Sequence, residues 1–313
     1  MLPKKLQKGD TIGLISPAGV AYDTQSYQIA FESLQAMGLT VKEGRFLRNR
    51  YGYLAGTDEQ RATEINEMFA DDTVKGILAL RGGWGCARIL DKIDYELIAR
   101  KPKILGGFSD LTALINAVYA KTGLVTFHSP MATSDWNNFS FDYFKRVLFD
   151  GEAVFFENPK EKNDSLAQKN NRIQTITGGK AKGVLVGGNL AVLSGLVGTP
   201  YLPDFRGKIL FLEEINEYIY RVDRMLAQLR LAGILDKLSG VVLGHFTDCS
   251  PQQEYGSLTL EEVLDTYFKN LGVPVFWGSM IGHIKHKFTT PVGLEAQIDA
   301  DLGTIRLLSA AVQ

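Results

Sequence analysis

Short apolar runs and amphipathic segments alternate along the first half of the chain. "TIGLISPAG" is an apolar run ending in a turn, as a buried strand does. In "SYQIAFESLQAMG" (26–38), Ala30, Leu34 and Met37 recur at helical spacing, and Gly38 stands where a C-terminal cap belongs. "TDEQRATEINEMFAD" opens with Thr57 and Asp58, good N-cap residues, followed by acids in the first turn. "VKGILALRGG" and "PKILGGF" read as strands closed by glycines. After the second of these, Leu111, Leu114, Ile115 and Val118 form an i, i+3, i+4, i+7 stripe, which predicts a helix. Strand–helix alternation of this kind predicts a parallel sheet flanked by helices.

The pattern changes after "GEAVFFENP". Residues 158–172, "NPKEKNDSLAQKNNR", carry almost no apolar side chains and read as a linker. Beyond it "AKGVLVGG", "GKILFLEE", "SGVVLGHF", "PVFWG", "LEAQID" and "TIRLLS" are short strand-like runs with fewer helices between them. One clear helix follows "LEEINEY", with Val222, Met225, Leu226 and Leu229 as its apolar stripe. The expected organisation is an α/β domain over residues 1–157, a linker over 158–172, and a strand-rich mixed α/β domain over 173–313.

Composition narrows the function. The 313 residues suffice for two domains, and 45% hydrophobic with 22% charged residues is an ordinary globular balance. Lys and Arg total 34 against 35 Asp and Glu, without the basic excess of a nucleic-acid binder. Lys4, Lys5 and Lys8 precede an apolar run too short for a signal peptide, and no run of about 18 apolar residues predicts a membrane span. Cys86 and Cys249 match no metal-binding spacing and read as reduced thiols of a cytosolic protein.

Two glycine-rich corners carry candidate chemistry. In "ILGGFSDLTAL", Ser109 sits between a strand and a helix start, where unpaired N–H groups and the helix dipole favour a developing oxyanion. That is the logic of a nucleophile elbow, although the pattern is not GxSxG. Serine at such a corner also serves simply as a cap. A serine nucleophile needs a base, and spacing does not choose among His128, His245, His283 and His286. "LALRGGWGCAR" also follows a strand; its glycines can present N–H groups to an anion, but it lacks the ending of a phosphate loop. Arg81 and Arg88 flank it, and their planar forks suit a carboxylate, or structural ion pairs equally. In "GKILFLEE", alternation turns Glu213 and Glu214 to opposite faces.

In series, "RGGWGCARIL", "GGFSDLTAL", "TFHSPM", "GKILFLEEINEYIYRVDRMLAQLRLAG", "GHFTDC" and "GHIKHKFTTPVG" resemble the LD-carboxypeptidase family of serine peptidases over nearly the whole chain. The resemblance implies a Ser-Glu-His triad of Ser109, Glu213 and His283, with His286 outside it. It implies oxyanion donors in the backbone N–H groups near Gly83 or Trp84 and of Asp110, and a site in the cleft between the domains. The implied reaction removes a terminal D-alanine from cytosolic muropeptide tetrapeptides during cell-wall recycling. No metal or organic cofactor is implied, and a homodimer is. The relative that confers microcin C immunity implies a second option, a peptidyl-nucleotide substrate; a non-catalytic anion-binding module is the option outside enzymes. Trp84 stands where the family often has Tyr, Ser129 where it often has Gly, and "GHIKHK" is more basic than the usual loop, which bears on substrate subsites.

Overall fold

The structure is a computed structural model that describes residues 1–160, 166–252 and 256–313. The first half folds as expected. Strands β1 (Thr11–Ile15), β2 (Thr40–Glu43), β3 (Val74–Ala79), β4 (Ile104–Gly107) and β5 (Thr126–His128) pair in parallel in the order β5-β4-β3-β1-β2. Helices α1 (Thr24–Ala36), α2 (Asp58–Ala70), α3 (Tyr95–Arg100), α4 (Leu111–Thr122) and α5 (Asn138–Lys145) accompany them. Asp23 caps α1, so that helix begins two residues before the expected Ser26. Thr57, one of the two expected N-cap residues, caps α2, and the structure adds a reciprocal box with Gln60. The strand order reverses at β1 and β3, and crevices of open α/β sheets form beyond the carboxyl ends of strands at such a point.

The second half is a mixed sheet with the order β6-β14-β13-β8-β9-β10-β11-β7. Its strands are β6 (Phe155–Phe156), β7 (Gln174–Thr177), β8 (Lys180–Asn189), β9 (Ile209–Ile215), β10 (Gly240–Thr247), β11 (Val275–Trp277), β13 (Glu295–Asp299) and β14 (Thr304–Leu307). Strands β8 to β11 run parallel and the flanking pairs antiparallel. Helices α6 (Leu190–Gly195), α7 (Ile219–Leu231) and α8 (Leu260–Phe268) complete it. On α7, Val222, Leu226 and Leu229 are buried as the stripe predicts, with Met225 half-buried.

Sheet membership crosses the expected boundary twice. Strand β6, before residue 157, pairs with β14 of the second sheet, and β12 (Thr290–Val292) pairs with β5 of the first. Periodicity identifies strands but not their partners, so a division read from composition cannot see this exchange. Of the expected linker, residues 161–165 lie outside the described residues. Asn158 at its start is buried and donates to the carbonyls of Asn171 and Gly278.

Helix α4 joins the halves. Asn116 donates to the Gly187 carbonyl, and the Asn189 N–H donates to Oγ1 of Thr112. Residues 111–118 of α4 are all buried, which fixes the helix that follows Ser109 against β8. Among the described residues no helix is long and apolar enough to cross a membrane.

Candidate active site

Ser109 is not a cap. The N-cap of α4 is Asp110, and Ser109 stands one residue earlier with φ +64, in the left-handed region. A non-glycine residue held there costs about 1–3 kcal/mol and persists only where its surroundings enforce it. Strand β4 enters the corner and α4 leaves it, so the side chain is thrust to the crevice at the carboxyl edge of the sheet. The loop after β3 crowds in: a Cβ on Gly82 would lie 3.0 Å from Cβ and 3.1 Å from Oγ of Ser109. A side chain there would press Ser109 aside by a few tenths of an ångström, and glycine leaves the serine in place.

Gly82, Gly83 and Ser109 line a cavity of about 370 Å³ together with Ser26, Arg81, Phe108, Met131, Thr133 and His283. Its polar wall therefore comes from the first sheet's loops and from the His283 segment of the second half. Among the described residues, the amide hydrogens of Gly83, Trp84 and Asp110 go to no protein acceptor. The carboxylate of Asp110 accepts the Cys86 N–H at 2.7 Å and so ties the end of the glycine loop to the start of α4. Arg61, fully buried, braces the same loop from α2 by donating to the carbonyls of Pro17 and Gly85.

Glu213 lies on β9 and is fully buried; its Oε2 meets Nδ1 of His283 at 2.7 Å. Burial pushes its carboxyl up, but the imidazoles of His128 and His283 outweigh this and hold it below the usual carboxylate range. Glu214 faces the opposite way, as strand alternation predicts. It is buried rather than solvated, and accepts from Asn189 Nδ2 at 2.9 Å, the Ala191 N–H at 2.7 Å and the Ile215 N–H at 2.8 Å. Its partners lie mainly at the start of α6, not at the helix following it in sequence. His286 packs against Phe139, 5.5 Å between ring centres, away from Glu213.

The two arginines part company. Arg81 lines the Ser109 cavity and donates to the Val20 carbonyl at 3.1 Å. Arg88 does not line it. Asp58 takes its guanidinium through two hydrogen bonds of 2.9 and 2.7 Å, and the group lies 5.9 Å from the Trp84 ring. Of the two readings left open for Arg88, the structure shows the ion pair, made with a residue 30 positions away, which sequence spacing could not reveal. Trp84 itself is half exposed and packs edge-on to Tyr53 at the rim.

Sequence reasoning missed His128 as a site residue. It ends β5, is buried, and stands behind Glu213 with Nε2 3.9 Å from Oε1. The one available signal was its place in "TFHSPM", one of the motifs that carry the family resemblance. Cys86 and Cys249 are both free.

With a strained serine beside free amides and a carboxylate–imidazole pair on the facing wall, the arrangement can perform acyl transfer. Residues 12–129 match the description of the LD-carboxypeptidase N-terminal domain, and residues 182–298 that of its C-terminal domain. The chain is 40% identical over 297 residues to a probable murein peptide carboxypeptidase of Bacillus subtilis, covering 95% of this chain and 91% of the relative. Its fold matches the microcin C7 self-immunity protein MccF in complex with glutamyl sulfamoyl guanosine, with a TM-score of 0.89, 28% identity, and coverage of 100% of this chain and 99% of the other. It also matches muramoyltetrapeptide carboxypeptidase from Oxalobacter formigenes, with a TM-score of 0.81, 32% identity, and coverage of 95% and 97%. The chain belongs to the LD-carboxypeptidase family.

Proposed function

We propose that this protein is a serine carboxypeptidase that hydrolyses the bond to a terminal D-alanine in murein tetrapeptides, with Ser109, Glu213 and His283 as its triad. The observation that carries the reading is the 2.7 Å contact between Glu213 and His283, with His283 and the strained Ser109 lining one cavity. Ser109 Oγ attacks the scissile carbonyl and gives its proton to Nε2 of His283. Glu213 holds the imidazole through Nδ1 and stabilises its charged form. The amides of Gly83 or Trp84 and of Asp110 receive the negative charge of the tetrahedral intermediate. His283 then protonates the leaving amine, D-alanine departs, and water cleaves the acyl-enzyme by the same steps. Arg81 is the group offered for the terminal carboxylate, because its planar fork matches two oxygens. The site of action is cytosolic, the enzyme acts as a homodimer, and the triad chemistry calls for no metal or organic cofactor.

The convergence on one cavity supports catalysis over a non-catalytic anion-binding module. A peptidyl-nucleotide substrate is the second reading, favoured by the likeness to MccF. One experiment separates them. Incubation with a murein tetrapeptide, its C-terminally amidated form and an aspartyl or glutamyl sulfamoyl nucleoside is followed by mass spectrometry. Loss of D-alanine from the free acid alone is expected. Undiminished cleavage of the amide contradicts a carboxypeptidase, and cleavage of the nucleoside conjugate alone selects the second reading.

A further inference from the structure

Glu213 has two carboxylate oxygens, and the proposed triad uses one. Oε1 is buried and has no hydrogen-bond partner among the described residues. Facing it at 3.9 Å is Nε2 of His128, which is likewise buried and unpartnered. An orphaned buried acceptor and an orphaned buried imidazole nitrogen are each costly, and a native interior rarely holds both side by side without their serving each other. A shift of about 1 Å turns this contact into a hydrogen bond.

The surroundings restrict His128 to that task. It is the last residue of β5, held between Gly107 of β4 and Thr290 of β12. Its ring lies edge-on to Phe108 at 5.8 Å and to Phe211 at 5.5 Å, so apolar rings wall it from water on two sides. Other charged or titratable groups near Glu213 already have stations. His283 bonds Oε2, Lys287 lies 4.2 Å from the Phe108 ring centre, Glu214 points to the opposite face, and Cys249 lies beyond the end of β10.

We propose that His128 is a positioning residue: as a neutral imidazole it directs an Nε2–H at Oε1 of Glu213 and keeps the other oxygen on His283. The inference rests on the triad reading above. Neutrality follows from the task, since a second cation beside Glu213 would oppose the positive charge that His283 must take up. Without this donor the carboxylate charge falls more heavily on His283, with Lys287 the other cation that feels it. The base then holds its proton more tightly, and the acid carboxylate is free to turn.

The test compares wild type with His128→Phe, which keeps a ring and loses the donor, and with His128→Gln, which keeps a donor at similar reach. Two rates are measured against pH: kcat/KM for tetrapeptide cleavage, and labelling of Ser109 by a fluorophosphonate, which needs an activated serine but no peptide. Thermal unfolding is followed alongside. In His128→Phe both rates should fall at least roughly tenfold, the scale of a misplaced catalytic group. The acid limb of both profiles should move to higher pH, and His128→Gln should restore most of the rate and the limb. A folded His128→Phe with native rates and an unmoved limb overturns the proposal. If that variant does not fold, His128→Gln decides: native behaviour supports the donor role, and a folded but slow enzyme overturns it. If wild type is labelled yet leaves the peptide uncut, the substrate reading fails while the labelling profiles still test His128. Failure to label wild-type Ser109 overturns the triad and this inference together.

Discussion

Gly282 explains why the histidine of the pair follows a glycine. Its φ is +127, and a Cβ there would lie 3.0 Å from Cβ and 3.1 Å from Oε2 of Glu213. Any larger residue would push the loop away and lengthen the 2.7 Å contact that His283 makes. The neighbouring acids illustrate what a strand's alternation can and cannot tell. It separates the faces of Glu213 and Glu214 from sequence, but not their burial or partners. Glu213→Gln removes the charge opposite the imidazole and should cut turnover by at least roughly a hundredfold with the fold intact. At pH 5, where Glu214 is neutral, Glu214→Gln sets an NH2 group, which cannot accept, against one of three donors, and should cost about 1–2 kcal/mol of stability while leaving most activity. Turnover and thermal unfolding measured on both variants check this, and the opposite pattern would transfer the triad acid to Glu214. Ser109 was legible as a corner residue from its flanking glycines and helix stripe. Its left-handed backbone was not, because that conformation is imposed by β3, α4 and the Gly82 loop together.

At the scale of elements, strands and capped helices were legible where periodicity and caps agree, as in α2. Helix α6 is six residues long and was not seen, because so short an element shows less than two turns of pattern. It is held by Glu214, which links it to β9. Burial pushes the Glu214 carboxyl up to about 7, from 4.5 when unperturbed, and does the same to Glu64, which accepts the N–H groups of Ser16 and Phe46. The folded protein therefore binds more protons than the unfolded chain between these values. Stability is fully present below about pH 4.5 as far as these two groups are concerned, and is lost as pH rises to about 7. Each contributes roughly 2–3 kcal/mol to that fall, from the shift between its folded and unfolded values. Glu213 acts in the other direction, its share being lost only below the usual carboxylate range, outside this window. Denaturant unfolding of wild type and Glu214→Gln from pH 4.5 to 7.5 should show a shallower slope in the variant. Equal slopes would mean that Glu214 stays ionised in the fold.

Across the whole molecule, the site depends on the two sheets joining just after the first sheet's edge strand β12, where Gly293 and Leu294 exchange backbone hydrogen bonds with Leu185 of β8, an inner strand of the second. The first brings Ser109 and the glycine loop; the second brings Glu213, and the segment carrying His283 runs back into the first sheet as β12. Sequence reading divided the chain into two halves; the expectation of a cleft between them, and of the residues in it, came from the family resemblance alone. It did not reach the exchanged strands or the inner histidine, since both arise from contacts between segments more than 80 residues apart. The central claim is that Ser109 attacks substrate across this cleft. Its most direct test is the rate of D-alanine release from a murein tetrapeptide by wild type and by Ser109→Ala, with thermal unfolding as a control. Triad members act as a unit, so the variant should lose at least roughly a thousandfold in turnover at an unchanged unfolding temperature. Release by a folded Ser109→Ala at near the wild-type rate would contradict the account.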